Sequence, residues 1–205
     1  MILYWIGWLL SRAVGRVFGW WTVHGGGSMP KTGGVILAPN HISYLDPPIA
    51  GAALRRQVRF MAKEELFRVP VLGSLIKAVG AFPVKRGTAD RAAFRQAVSL
   101  LEAGEVVCIF PEGTRSLDGS LQPAEPGFGM MVLRSRVPVL PVALSGTNRV
   151  LRRGSGFLHF AKIRVNVGEP LDFSDLHDRA GDREAMEEVG RRTMAAIAEL
   201  QGSRR

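Results

Sequence analysis

Two short apolar runs, residues 35–39 and 106–110, are each followed at once by a dense group of polar residues. Uninterrupted apolar runs of this length read as strands buried on both faces, the kind found inside parallel sheets. Around them the pattern changes period. Ala93, Ala97, Leu100 and Leu101 recur at helical spacing, which predicts a helix over 90–103 with Gly104 stopping it. Met186, Val189, Thr193, Ile197 and Leu200 mark the inner face of an amphipathic helix over 182–200. Further strands are predicted at 58–62, 81–84 and 158–167, and further helices at 66–79 and 127–135. Asp46 followed by Pro47 and Pro48 predicts another helix reaching about residue 54, with Asp46 as N-cap and Pro47 in the first helical position. Residues 137–144 carry Pro138 and Pro141 and are predicted as an irregular or edge strand. Strands alternating with helices predict an α/β fold: a single layered domain with a largely parallel or mixed sheet flanked by helices.

The amino-terminal residues have a different pattern. Residues 1–10 are almost all apolar, Arg12 and Arg16 follow on one helical face, and all 4 tryptophans lie within the first 21 residues. A membrane-spanning helix needs about 20 apolar residues, and arginines and glycines interrupt this run. Tryptophan at both ends with arginine on one side suits a helix lying in the headgroup region. The charges come after the apolar run, the reverse of a secretory signal. The expectation is a membrane-associating helical segment over 1–27, ending in the hinge Gly25-Gly26-Gly27-Ser28, and a catalytic domain over 28–205. Such a protein would sit on the cytoplasmic face of the cell membrane, peripheral or monotopic.

Composition sharpens this picture in two respects. The net charge is +9 over 205 residues, and no acidic residue precedes Asp46. Between Arg55 and Arg95 ten cations face three acids, a field that attracts phosphate or an anionic membrane surface. Aromatic residues do not alternate with the cations, and no helix-turn-helix, zinc or RNA-reading signature is present, so no nucleic-acid partner is expected. The single cysteine, Cys108, rules out an intramolecular disulfide and metal sites built on cysteine clusters. It reads as a small apolar residue in the core of a strand.

The chemistry lies in the polar groups. After the first buried run come Asn40-His41-Ile42-Ser43-Tyr44-Leu45-Asp46; the second ends in Phe110 and continues as Pro111-Glu112-Gly113-Thr114-Arg115-Ser116. Polar clusters that follow buried strands can converge at one end of a sheet, where α/β folds keep their sites. On a regular helix, residues five apart point about 140° apart. His41 and Asp46 can therefore meet only if His41 lies in the turn before a helix that Asp46 begins. Asp46 could then hold one ring nitrogen and leave the other as a base. The plain alternative is an N-cap aspartate beside a satisfied turn histidine, and Glu112 with Arg115 could be an internal ion pair.

Four blocks occur in order: Asn40 to Asp46 as N-H-x4-D; Gly80-Ala81-Phe82-Pro83-Val84-Lys85-Arg86, ending in arginine; Phe110 to Ser116 as F-P-E-G-T-R-S; and Val137 to Ala143 as V-P-x-x-P-V. Together they resemble the glycerol-phosphate and lysophospholipid acyltransferases, most of all the 1-acylglycerol-3-phosphate O-acyltransferases, over about residues 20–170. The resemblance implies transfer of a fatty acyl group from acyl-CoA or acyl carrier protein to the free hydroxyl of 1-acylglycerol 3-phosphate, giving phosphatidate. It implies His41 as general base, Asp46 as its orienting carboxylate, and Arg86 and Arg115 as holders of the acceptor phosphate. Glu112 and Gly113 would shape the glycerol site, with Thr114 and Lys85 beside it, and the fourth block would wall the acyl channel. No cofactor or metal is implied; the acyl thioester is a co-substrate. Another acceptor, glycerol 3-phosphate or a different lysophospholipid, would fit the same chemistry, and so would hydrolysis of the thioester. The sequence departs from the family pattern at Lys85, where an acidic residue is usual, and at Glu125-Pro126-Gly127, where a basic residue often precedes the glycine.

Overall fold

A computed structural model describes residues 2–85 and 90–203. In chain order the described elements are α1 (Ile2–Gly19), β1 (Thr22–His24), β2 (Val35–Pro39), α2 (Asp46–Ala53), β3 (Val58–Lys63), α3 (Leu72–Ala78), β4 (Phe82–Val84), α4 (Arg91–Glu102), β5 (Val106–Cys108), α5 (Pro126–Ser135), β6 (Val139–Ser145), α6 (Thr147–Val150), β7 (Arg164–Val167) and α7 (Arg183–Gly202). The strands form one 7-stranded sheet in the order β1-β7-β6-β2-β5-β3-β4. β6, β2, β5, β3 and β4 run parallel, whereas β7 pairs antiparallel with β6 and carries β1 beside it. The fold is thus α/β with a mixed, largely parallel sheet, as the alternation of elements predicts.

The double-sided burial of β2 follows from its sequence. Val35 and Leu37 pack into one apolar layer with Ile49, Ala50 and Ala53 of α2, while Ile36 and Ala38 pack into the other with residues of α4, α5 and α7. No position in β2 faces water, so every residue can be apolar. Cys108 belongs to the first layer and is 1% exposed. Burial pushes its thiol far above the ordinary range, consistent with an inert core residue.

Three predicted elements differ from the observed ones. The helix over 66–79 is broken into a 3-10 turn, Glu64–Arg68, and the separate helix α3. Pro70 supplies no N–H and holds Val69 extended at ψ 123, and Val71 takes the left-handed φ of 66 before the helix resumes. β6 is neither irregular nor at an edge; it lies inside the sheet between β2 and β7 and is buried from Val139 to Leu144. Pro141 is tolerated because its carbonyl accepts the N–H of Gly168 just past β7. Its nitrogen faces the same side, where the ladder with β7 has ended, so no donor is missing from the pairing with β2. The strand over 158–167 is confined to β7. The preceding backbone is occupied elsewhere: the His159 N–H bonds to Val150 and the Ala161 N–H to Phe18.

α1 lies against α2 and the start of β3. The Tyr4 hydroxyl accepts the Val58 N–H at 2.9 Å, the Trp8 indole donates to the Leu54 carbonyl at 2.9 Å, and Arg12 donates to the Ala52 carbonyl at 3.0 Å. The opposite stripe, Leu3, Ile6, Leu9, Leu10 and Val17, is exposed. Among the described residues no helix is long and apolar enough to cross a membrane. The sheet takes its edge strand β1 from before the glycine run. Gly25, at φ 72, lies so close to β7 that an added Cβ would sit 2.0 Å from the Val167 carbonyl oxygen.

Candidate active site

The five parallel strands end along one edge of the sheet, and the loops that leave them build the site. β2 delivers His41, β5 delivers Phe110 to Ser116, β6 delivers Thr147 and β4 delivers Lys85. In open α/β sheets this edge is where ligands bind.

His41 and Asp46 meet: the ring Nδ1 lies 2.9 Å from Asp46 Oδ2, and both residues are buried. The sequence predicts Asp46 as the N-cap of α2, but Leu45 holds that position and Asp46 is the first helical residue, with no capping bond from its side chain. An N-cap side chain bonds the N–H groups two and three residues on, and Pro48 has none to offer. The carboxylate turns back instead. Oδ2 accepts the N–H groups of Ile42 and Ser43, each at 2.6 Å. Oδ1 accepts the Thr147 hydroxyl at 2.6 Å. Asp46 is fully buried and meets four hydrogen-bonding groups: the His41 ring, the Ile42 and Ser43 N–H groups and the Thr147 hydroxyl. A carboxylate accepting at Nδ1 fixes the proton there and leaves Nε2 with its lone pair free.

The β5 loop holds the histidine in place. The His41 N–H donates to Glu112 Oε1 at 2.7 Å, and the His41 carbonyl accepts the Ser116 N–H at 2.8 Å. The Phe110 ring stacks on the imidazole with centroids 4.0 Å apart and planes 24° apart. Asn40 ties the same turn to β6: its amide donates to the Leu144 carbonyl at 3.1 Å and its oxygen accepts the Leu144 N–H at 2.6 Å. The Asn40 N–H also donates to the Val142 carbonyl at 3.3 Å, so three of the sequence blocks meet at the turn that carries His41.

Comparison with known proteins is decisive here. Residues 21–145 match the model of the protein family described as Acyltransferase. The chain belongs to the acyltransferase family. It is 32% identical over 139 residues to the chloroplastic 1-acyl-sn-glycerol-3-phosphate acyltransferase BAT2 of Brassica napus, a match covering 66% of this chain but only 40% of the plant protein. It is 31% identical over 150 residues to the 1-acyl-sn-glycerol-3-phosphate acyltransferase of Bacillus subtilis (strain 168), covering 73% of this chain and 72% of the relative. The crystal structure of PlsC from Thermotoga maritima, a 1-acyl-sn-glycerophosphate (LPA) acyltransferase, is similar with a TM-score of 0.76 and 29% identity, covering 98% of this chain and 79% of that one.

The remaining predicted positions of this acyltransferase have distinct surroundings. Arg115 stands with its guanidinium carbon 3.4 Å above the Tyr44 ring. With Thr114, Ser43, Asn148, Arg152 and Arg153 it lines a cleft of about 580 Å³. Gly113, at φ 67, borders a smaller apolar recess of about 230 Å³ beside Phe110, Phe128 and Met131. Glu112 is turned away from both spaces and is 3% exposed. Its second oxygen accepts the Gln122 N–H at 3.0 Å, so the carboxylate is spent on backbone rather than presented to an acceptor. Burial pushes this carboxyl above its ordinary value, and the two N–H donors pull it back. Lys85 is exposed at the end of β4, three strands from β2 and therefore about 14 Å across the sheet. Its backbone N–H donates to Asp90 and its ammonium lies 4.0 Å from Glu64. The role expected for Arg86 lies outside the described residues.

Sequence reasoning missed Thr147 and gave Asn40 no role. Thr147 is 101 residues from Asp46, and its only local signal is a hydroxyl opening α6 just after the fourth block. We expect Thr147→Val, which keeps the shape and removes the donor, to lower kcat about tenfold and stability by about 2 kcal/mol. Thr147→Ser should restore both. Initial rates and thermal melting of the two variants check this; equal behaviour of Val and wild type would remove Thr147 from the site. For Glu112→Ala we expect about 2–3 kcal/mol of destabilisation, because the buried His41 N–H loses its acceptor and the part-buried Gln122 N–H loses a charge-assisted bond. Urea unfolding measures it, and a loss under 1 kcal/mol would contradict the clamp described above.

Proposed function

We propose that this acyltransferase moves a fatty acyl group from an acyl thioester, acyl-CoA or acyl carrier protein, to the free hydroxyl of 1-acylglycerol 3-phosphate, giving phosphatidate. The observation that carries the reading is the buried His41–Asp46 pair, 2.9 Å apart, at the sheet edge beside a cleft that Arg115 lines. A base with its other nitrogen fixed, followed in the chain by Ile42 and Ser43 that line the same cleft as a guanidinium, suits a substrate that offers both a hydroxyl and a phosphate. The names of the plant, Bacillus and Thermotoga relatives support this acceptor.

In the proposed reaction His41 Nε2 takes the proton of the acceptor hydroxyl as its oxygen bonds to the thioester carbonyl carbon. The tetrahedral intermediate collapses, the carbon–sulfur bond breaks, and the imidazolium returns its proton to the departing thiolate. Products are the new ester and a free thiol, and no enzyme–acyl bond is needed. Asp46 stabilises the imidazolium while its own charge is held by Ile42, Ser43 and Thr147. Arg115 holds the acceptor phosphate, and the packing of its guanidinium on the Tyr44 ring limits how far it can swing. The exposed stripe of α1 supports peripheral attachment to the cytoplasmic face of the membrane, where such an acceptor resides.

Thiol release from palmitoyl-CoA in detergent micelles, with and without 1-acylglycerol 3-phosphate, tests the proposal. Acceptor-dependent release with phosphatidate as product is expected. Equal release without acceptor would replace acyl transfer by thioester hydrolysis.

A further inference from the structure

The loop between α6 and β7 touches both the cleft and α1. Its first part, including Arg152, Arg153 and Ser155, lines the cleft with Arg115. Its second part turns outward: Phe157 is 80% exposed and Phe160 75%. Two bare phenylalanines on one short loop are an apolar patch that calls for a partner. The loop is anchored in this form. Ser155 Oγ accepts the Phe157 N–H at 3.2 Å, and the N–H groups of His159 and Ala161 bond to Val150 at 2.7 Å and Phe18 at 2.9 Å. Phe160 stacks on Phe18 of α1, centroids 5.1 Å apart, so the patch adjoins the end of α1 where Val17 and Trp20 are also exposed.

The charges around this patch have one sign. From Gly146 to Gly168 the sequence carries Arg149, Arg152, Arg153, Lys162 and Arg164 and no acid, and α1 has none either. Exposed aromatics framed by cations suit an anionic bilayer: rings enter the acyl boundary while the cations meet headgroups. Apolar residues are exposed along α1 and again on the loop, and the Phe18–Phe160 stack joins the loop to the end of the helix. A bilayer accepts such separate apolar points without needing a matching groove.

Resting on the reading of α1 as a peripheral membrane helix, we propose that Phe157 and Phe160 form a second membrane-insertion point. Arg152 and Arg153, at the base of the same loop, meet anionic headgroups. The loop thereby sets the Arg115 cleft against the bilayer, and a lipid acceptor reaches the site from the membrane surface without crossing bulk water.

Co-sedimentation of the full chain with phosphatidylcholine vesicles, with and without phosphatidylglycerol, tests this. The variants are Phe157→Ser, the pair Phe157→Ser/Phe160→Ser, and the pair Leu9→Ser/Leu10→Ser on α1. We expect the phenylalanine pair to lower partition into the anionic vesicles about tenfold and Phe157→Ser alone about threefold. Turnover of a short-chain acceptor dissolved in water should stay at the wild-type rate, which certifies the fold. Binding that depends on the leucine pair but not on the phenylalanines would keep the reading of α1 and overturn the role of the loop. Binding that depends on neither pair would overturn both. Phenylalanine variants that keep vesicle binding but lose affinity for acyl carrier protein would mark the loop as a protein contact instead and overturn the proposal.

Discussion

His41→Ala is expected to lower kcat by about 10³–10⁴-fold, or about 4–5.5 kcal/mol of barrier, while the protein stays folded. The loss is this large because no neighbouring group can replace the base. Asp46 is fully buried and still accepts from Ile42, Ser43 and Thr147, and Glu112 accepts from two backbone N–H groups. Cys108 is sealed in the core. The fold should survive because the His41 side chain serves as a donor to Asp46 and a stacking partner for Phe110, and both neighbours keep other contacts. Its backbone bonds to Glu112 and Ser116 do not depend on the side chain. Steady-state rates measured beside far-ultraviolet circular dichroism decide the matter. A folded variant within tenfold of wild type would deny His41 the role of base.

The second large effect is expected for Asp46→Asn, a change of one atom. If the amide oxygen keeps the position of Oδ2, it still accepts from His41, Ile42 and Ser43, and the amide nitrogen then faces Thr147 Oγ1. A threonine hydroxyl can accept as well as donate, so this orientation keeps a bond to Thr147, at the cost of leaving the hydroxyl proton and the second amide hydrogen without their former acceptor. The reverse orientation would aim an NH₂ group at two backbone N–H donors and is disfavoured. The variant should therefore fold, with about 2–4 kcal/mol lost because charge-assisted bonds become neutral ones. Catalysis should suffer far more, by about 10³–10⁴-fold in kcat, since the charge paired directly with the imidazole ring is gone. Kinetics and chemical denaturation measured on the same preparation separate the two losses. A drop in kcat no larger than the stability loss suggests would reduce Asp46 to a structural residue of the turn.

Both effects depend on local geometry that was partly written in the chain. The pair Pro47-Pro48 places a helix start at Asp46 and forces His41 into the preceding turn, which is how residues five apart come to touch. The same prolines remove a donor that Asp46 would cap, yet the direction in which the freed carboxylate turns is not a local matter. It turns toward Thr147, which arrives from β6. Glu112 illustrates the same limit. A glutamate after a buried strand reads as a residue lining a cleft, but here it faces two backbone N–H groups, one of them 71 residues away in sequence.

The sequence by itself determined the elements whose signals are local. The helices at 90–103 and 182–200 agree with α4 and α7, where Asp90 and Asp182 accept the first free N–H groups. The buried strands β2 and β5 and the polar turns that follow them were equally legible, because period and capping act over a few residues. Strand order, the interior position of β6 despite its prolines, the break at Pro70 and the four-donor setting of Asp46 were decided by the tertiary structure. A strand is interior or at an edge according to which neighbours pair with it. A carboxylate is a cap, a clamp or a partner to histidine according to which donors the rest of the chain brings within reach. Those choices are made by packing between residues far apart in sequence, where periodicity carries no information.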